Sequence, residues 1–258
     1  MKKEIDRLGE ERINYQGCLM KIVEYNSAND MVVEFQDDNN AKVNTYYHNF
    51  TVGRVKNPYY PSVYGVGIVG NKYVSSINRS HTKEYETWVS MLKRCFNKKI
   101  KKKQPTYKDV VCCDEWLFFE NFYEWLHNQN NFDKWYNGER WCLDKDILLK
   151  GNKTYSPDTC CLVPNSVNVL FTKRKSKRGN LPIGVVKHNN LFRAECSSVF
   201  EKYHKYLGIY ETPQKAFDVY KKYKEDLIKQ IAKIEYEKAN ITDKCYNAMM
   251  NYKVEITD

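Results

Sequence analysis

The chain holds 258 residues, 42 basic against 32 acidic, for a formal net charge of +10, and it is 42% hydrophobic with 14% aromatic. That composition supports a packed core and excludes global disorder, while the charge favours polyanionic partners: nucleic acid, an acidic substrate or an anionic surface. No apolar run approaches the roughly 20 residues of a membrane-spanning helix, and the opening MKKEIDRLGEER lacks the apolar stretch of a secretory signal, so a cytoplasmic protein without a membrane partner is expected. The cations are 33 lysines and nine arginines, mostly point charges with few guanidinium forks. Nine cysteines, an odd number with no CxxC spacing, read as reduced and mostly buried thiols. A scattered zinc set drawn from Cys112 or Cys113 with Cys142 and Cys160 is the weaker alternative.

In chain order, Met20–Tyr25 and Met31–Phe35 alternate apolar and polar residues around an Asn26–Asp30 turn, and a further strand lies near Lys42–Tyr47. The segment NPYYPSVYGVGIVG reads as a packed connector. A helix is predicted from about Thr82 to Asn97, with Tyr85, Trp88, Leu92, Cys95 and Phe96 on one face. Thr82 caps it, Glu84 and Glu86 fill its first turn, and Lys93 and Arg94 its last. A lysine cluster, Lys98 to Lys103, follows. Asp114 is placed to cap a second helix running through His127, with Trp116, Phe119, Phe122, Tyr123 and Leu126 as its apolar stripe.

Strands are predicted at Trp141–Ile147 and Cys160–Val163, with Pro164 opening a short helix. After the basic run KRKSKR at 173–178, Ile183–Lys187, Leu191–Cys196 and Tyr203–Ile209 form a three-stranded meander. Thr212-Pro213 starts a long helix carrying Ala216, Phe217, Tyr220, Tyr223, Leu227 and Ile231 on one side, and a last helix lies near Thr242–Tyr252. The predicted fold class is α+β. A small β module with its connector occupies residues 1–70, a helical plus ββα domain residues 71–172, and a three-stranded sheet on a helix, with a helical tail, residues 173–258.

The stretch LDKDILLKGNKTYSPDTCCLVPNSVN, residues 143–168, with CDEWLFFENFYEW before it, resembles the HNH endonucleases common in phage genomes (the ββα-metal, His-Me finger fold). The resemblance runs from about Tyr85 to Asn168. It implies one Mg²⁺ or Mn²⁺ at the scissile phosphate, held by an Asp on the strand and an Asn on the helix, with a base nearby to activate water. Matched position by position, Asp144 and Asn168 are the metal ligands and Asn152 is the loop-shaping asparagine. The base position, histidine in the family, is Lys145. A lysine, protonated near neutral pH, is a poor general base. Either the metal and burial strip its proton, or Asp146 or a distant histidine serves instead. Alternatively Lys145 holds a phosphate and cleavage has been lost. The five histidines form no close pair, and no Walker loop, GxSxG elbow or GxGxxG fingerprint occurs, so no nucleotide or organic cofactor is expected.

Residues 182 to about 231, with the elements GV, FRA and LGIYET ahead of Ala216, resemble the ethylene-response-factor-type (APETALA-like) DNA-binding domain, in which a three-stranded sheet enters the major groove. The resemblance places Arg193 on the DNA-facing sheet, with Lys187, Lys202, His204 and Lys205 as further contacts. Lys173, Arg174, Lys175, Lys177 and Arg178 join them as a basic linker. The joint expectation is a DNA-binding, metal-dependent HNH endonuclease or nickase of phage or homing type, acting on double-stranded DNA inside an infected bacterial host. The alternatives are a catalytically silent DNA-binding regulator, or a phage protein that inhibits a host complex through its N-terminal module.

Overall fold

A computed structural model describes residues 6–138, 140–172, 179–197, 204–256 and 258. The basic linker Lys173, Arg174, Lys175, Lys177 and Arg178, and Lys202, lie outside the described residues. For His204 only the strand position is described. The chain separates into two compact units, Met1–Leu126 and His127–Asp258. That boundary falls inside the 71–172 segment read as one domain. The class is α+β, and among the described residues no helix is long and apolar enough to cross a membrane.

The first unit opens with four antiparallel strands in the order β1 (Glu11–Ile13), β2 (Leu19–Ser27), β3 (Asp30–Phe35) and β4 (Lys42–Thr45). Their alternation puts Met20, Ile22, Met31, Val33 and Phe35 on one buried face, closed by Phe50 of α1 (Tyr47–Thr51) and by Val55. Buried Asn14 braces the entry turn: its Oδ1 accepts the backbone N–H of Gln16 and Cys18, and its Nδ2 donates to Val55 O at 2.9 Å.

A two-residue ladder, β5 (Ser76–Ile77) and β6 (Ser80–His81), leads into α2 (Lys83–Phe96). Thr82 caps that helix, accepting from the Tyr85 N–H, and Trp88, Met91, Leu92 and Cys95 are buried. The lysine cluster is itself helical, α3 (Lys98–Lys103), because Asn97 caps it through the Ile100 N–H. After β7 (Val111–Cys112), the second predicted helix is broken in two. A 3-10 turn spans Asp114–Leu117 and α4 spans Phe119–His127. The cause is the connector: Ile68 donates to Leu117 O and accepts from the Phe119 N–H, both at 2.9 Å, which holds Phe118 extended. Asp114 does not cap. Residue Cys113 holds that position and makes no side-chain cap bond.

The second unit begins with α5 (Phe132–Asn137), which the sequence reading passed over. Then come β8 (Trp141–Asp144), β9 (Thr154–Tyr155), β10 (Cys161–Pro164) and α6 (Asn165–Asn168). Strands β8 and β10 are antiparallel, with Cys161 opposite Asp144 and Pro164 opposite Trp141. Pro164 therefore ends the strand, in extended conformation, and α6 starts one residue later than expected. Strands β11 (Val185–His188), β12 (Leu191–Ser197) and β13 (His204–Tyr210) form the meander. Its first turn is Asn189-Asn190, with Asn189 at φ 53°, a left-handed conformation that asparagine tolerates. Helix α7 (Pro213–Glu237), capped by Thr212, backs the sheet, and α8 (Asp243–Met250), capped by Thr242, closes the unit.

One core joins these parts. Ile147, Cys161, Val163 and Val167 are buried in the same cluster as Val185, Ala194, Phe217, Tyr220, Ile231 and Met249. The strand-loop-strand-helix segment and the C-terminal sheet are thus halves of one folded body.

Candidate functional site

The candidate site is built on the loop between β8 and β9. β8 ends at Asp144, three residues short of the predicted limit, because the aspartate turns the chain itself. Its Oδ1 accepts the backbone N–H of Asp146 at 2.7 Å and of Ile147 at 2.8 Å. Burial pushes the Asp144 carboxyl up from its ordinary range, and these two N–H donors only partly offset it. The second oxygen, Oδ2, has no hydrogen-bond partner among the described residues.

Lys145 is buried, and its ammonium donates to Asp146 Oδ1 at 2.7 Å and to Asn152 O at 2.8 Å. Asn152 answers across the loop. Its Nδ2 donates to Lys145 O at 2.8 Å and Thr154 O at 2.7 Å, and its Oδ1 accepts the Thr154 N–H at 3.1 Å. Lys145 and Asn152 therefore form a reciprocal clamp that shapes the loop. Asp146 is half-exposed at the loop's outer side. Asn168 ends α6 half-buried, and its amide makes no hydrogen bond among the described residues.

The free Oδ2 and the unengaged amide are oxygen donors of the kind Mg²⁺ and Mn²⁺ take. Among the described residues no group of three or more His, Cys, Asp or Glu side chains is placed to hold a metal ion. A one-Asp, one-Asn centre is a different arrangement from such a group.

Cys160, beside the loop, has its thiol pushed up to about 12 by burial. Between the ordinary value of 9.0 and about 12 the unfolded chain releases this proton while the native state keeps it. The native state then binds more protons, so its stability is full below pH 9.0 and declines as pH rises through that window. Cys160→Ala is expected to reduce the alkaline loss of stability by up to ~1.4 kcal/mol per pH unit. Melting curves at pH 8 and pH 10 measure it, and an unchanged pH slope contradicts the assignment.

The predicted DNA contacts of the sheet do not share one surface. Register partners lie on the same face. Ala194 and Cys196, buried in the core, pair with Val185 and Lys205, and Phe192, packed against that core, pairs with Lys187. Arg193 lies on the other face with Val186 and Ile209. Lys187 and Lys205 are exposed, but in register with core-facing residues. The outer face instead exposes Val186, Leu191, Tyr206 and Ile209, and Glu195 holds the Arg193 guanidinium at 2.9 Å. The sequence carried the parity for this: with a turn at 189–190, residues 187 and 192 must pair. In the first unit, α3 presents Lys98, Lys99, Lys102 and Lys103 without a carboxylate partner among the described residues.

Sequence reading missed Lys150, Tyr252 and Asp258 around the loop. Lys150 Nζ donates to Asp258 Oδ2 at 2.9 Å and to Lys253 O at 2.7 Å. No motif marks them, since they meet only through the fold. Comparison with protein-family models, with curated proteins and with solved structures finds no match to this chain.

Proposed function

We propose that this chain is a DNA-binding, metal-dependent endonuclease or nickase of the HNH type, of phage or homing kind, with an APETALA-like C-terminal sheet. The observation that carries the reading is the Asp144 turn. A strand-end carboxylate, withdrawn from water and fixed through one oxygen, keeps its other oxygen free on the same two-strand unit that leads into Asn168. Asp144 and Asn168 would hold the ion, and a bound Mg²⁺ or Mn²⁺ supplies Lewis-acid charge at the phosphate. Lys98–Lys103 and the 173–178 run would neutralise the DNA backbone.

Lys145 acts here as a clamp and not as the base, because its ammonium is directed into the loop at Asp146 and Asn152. Asp146, half-exposed, is the remaining carboxylate at the loop. Lys145→Met is expected to lower stability by ~2 kcal/mol, through loss of two hydrogen bonds from a charged donor. It should leave cleavage by the folded fraction within about tenfold, against the ~10²–10⁴ that loss of a general base costs. A folded but inactive Lys145→Met protein contradicts the clamp.

A second reading, a DNA-binding regulator that does not cut, is favoured by this same loss of a lysine base. Supercoiled plasmid with Mg²⁺ or Mn²⁺ separates the two: nicking supports the nuclease, while tight binding without nicking under either ion supports the regulator. Both require affinity to fall steeply with salt. Absent or salt-insensitive DNA binding leaves an interaction protein acting through the N-terminal sheet.

A further inference from the structure

Among the residues after α8, Tyr252, Lys253 and Asp258 contact Lys150 of the candidate loop. Val254 is buried, and its N–H donates to Glu225 Oε1 of α7 at 2.9 Å. Asp258 is buried as well; its Oδ2 accepts the Glu255 N–H at 3.0 Å and the Lys150 ammonium at 2.9 Å. Lys150 lies on the Asp144 loop, and its Nζ is 5.1 Å from the Tyr252 ring centroid. The same Tyr252 ring packs edge-on against Phe171, three residues beyond Asn168, at 4.9 Å. One aromatic ring therefore touches both segments that carry the proposed metal ligands. Burial pushes the Tyr252 phenol up, and the carboxylates of Asp258, Asp146 and Asp144 push it further.

We infer that Lys150 and Tyr252 are positioning residues: Tyr252, Lys253, Val254 and Asp258 act as a strap that ties the Asp144 loop to the end of the Asn168 helix and so sets the spacing of the two ligands. This rests on the reading of Asp144 and Asn168 as metal ligands. Residues that orient metal ligands typically change affinity ~10–100-fold when removed. Titrating the whole chain with MnCl₂ under electron paramagnetic resonance tests it, with melting temperature measured alongside. Lys150→Met and Tyr252→Ala are expected to weaken Mn²⁺ binding at least ~10-fold while the chain stays folded, and Lys150→Arg to restore it.

Asp258→Asn breaks the latch from its other end and is expected to weaken Mn²⁺ in the same direction, which covers the case where Lys150→Met fails to fold. Unchanged Mn²⁺ affinity in folded variants overturns the strap's positioning role. Tighter binding also overturns it, by making the strap an obstruction. A wild-type chain that binds no Mn²⁺ overturns the metal reading itself, a result distinct from any difference between variants.

Discussion

Asp144→Asn is expected to reduce divalent-dependent nicking by at least ~100-fold with the fold intact, since the metal's share of transition-state stabilisation is several kcal/mol. The substitution is chosen for what it preserves. An asparagine Oδ1 can accept the same two N–H groups, from Asp146 and Ile147, that Asp144 accepts at 2.7 and 2.8 Å. The turn survives and only the charge is lost. Burial already opposes ionisation of this carboxyl, so the variant should melt no lower than the parent. Asn168→Ala removes a neutral ligand and should cost less. Equal nicking by parent and Asp144→Asn, measured in single turnover, removes Asp144 from the reaction.

Gly184→Ala is expected to destabilise the second unit by ~3 kcal/mol, combining ~1–2 kcal/mol for a left-handed residue with the cost of overpacking. Gly184 has φ 75°, and an added Cβ would sit 2.0 Å from Tyr220 Cδ2. Tyr220 is a core residue of α7, so its ring cannot swing out without opening the seam between sheet and helix. Chemical denaturation followed through the second unit's tryptophans, Trp135 and Trp141, reads the effect. A loss below ~0.5 kcal/mol, the range of neutral surface changes, contradicts this packing.

The GV dipeptide, read from sequence only as a likeness, thus has a physical cause: Gly184 lets the chain lie flat on Tyr220. Thr82 was legible as a cap, and Thr212 and Thr242 as helix starts, because capping is local, set within three residues of the hydroxyl. The broken helix at Phe118 was not legible. Its cause is Ile68, some 50 residues away, and the stripe from Trp116 to Leu126 fits a helix either way. At the site, Asp144, Asn152 and Asn168 were named through the resemblance alone, and the structure describes the turn at Asp144 and the hydrogen bonds of Asn152 within the loop. The inward turn of Lys145 was not, because a lysine's identity does not say whether its ammonium meets solvent or a carbonyl such as Asn152 O. Parity was legible too: the hairpin sets Lys187 opposite Phe192 and leaves Arg193 on the other face with Val186 and Ile209.

The central claim is that this strand-loop-strand-helix unit carries a divalent ion to a phosphodiester. The most direct measurement is conversion of supercoiled plasmid to nicked circle by the purified full chain, in Mg²⁺ or Mn²⁺ and again with excess chelator. Nicking is expected to appear with the ion, vanish with the chelator and be lost in Asp144→Asn. Nicking that persists in the chelator, or no nicking with either ion, contradicts it.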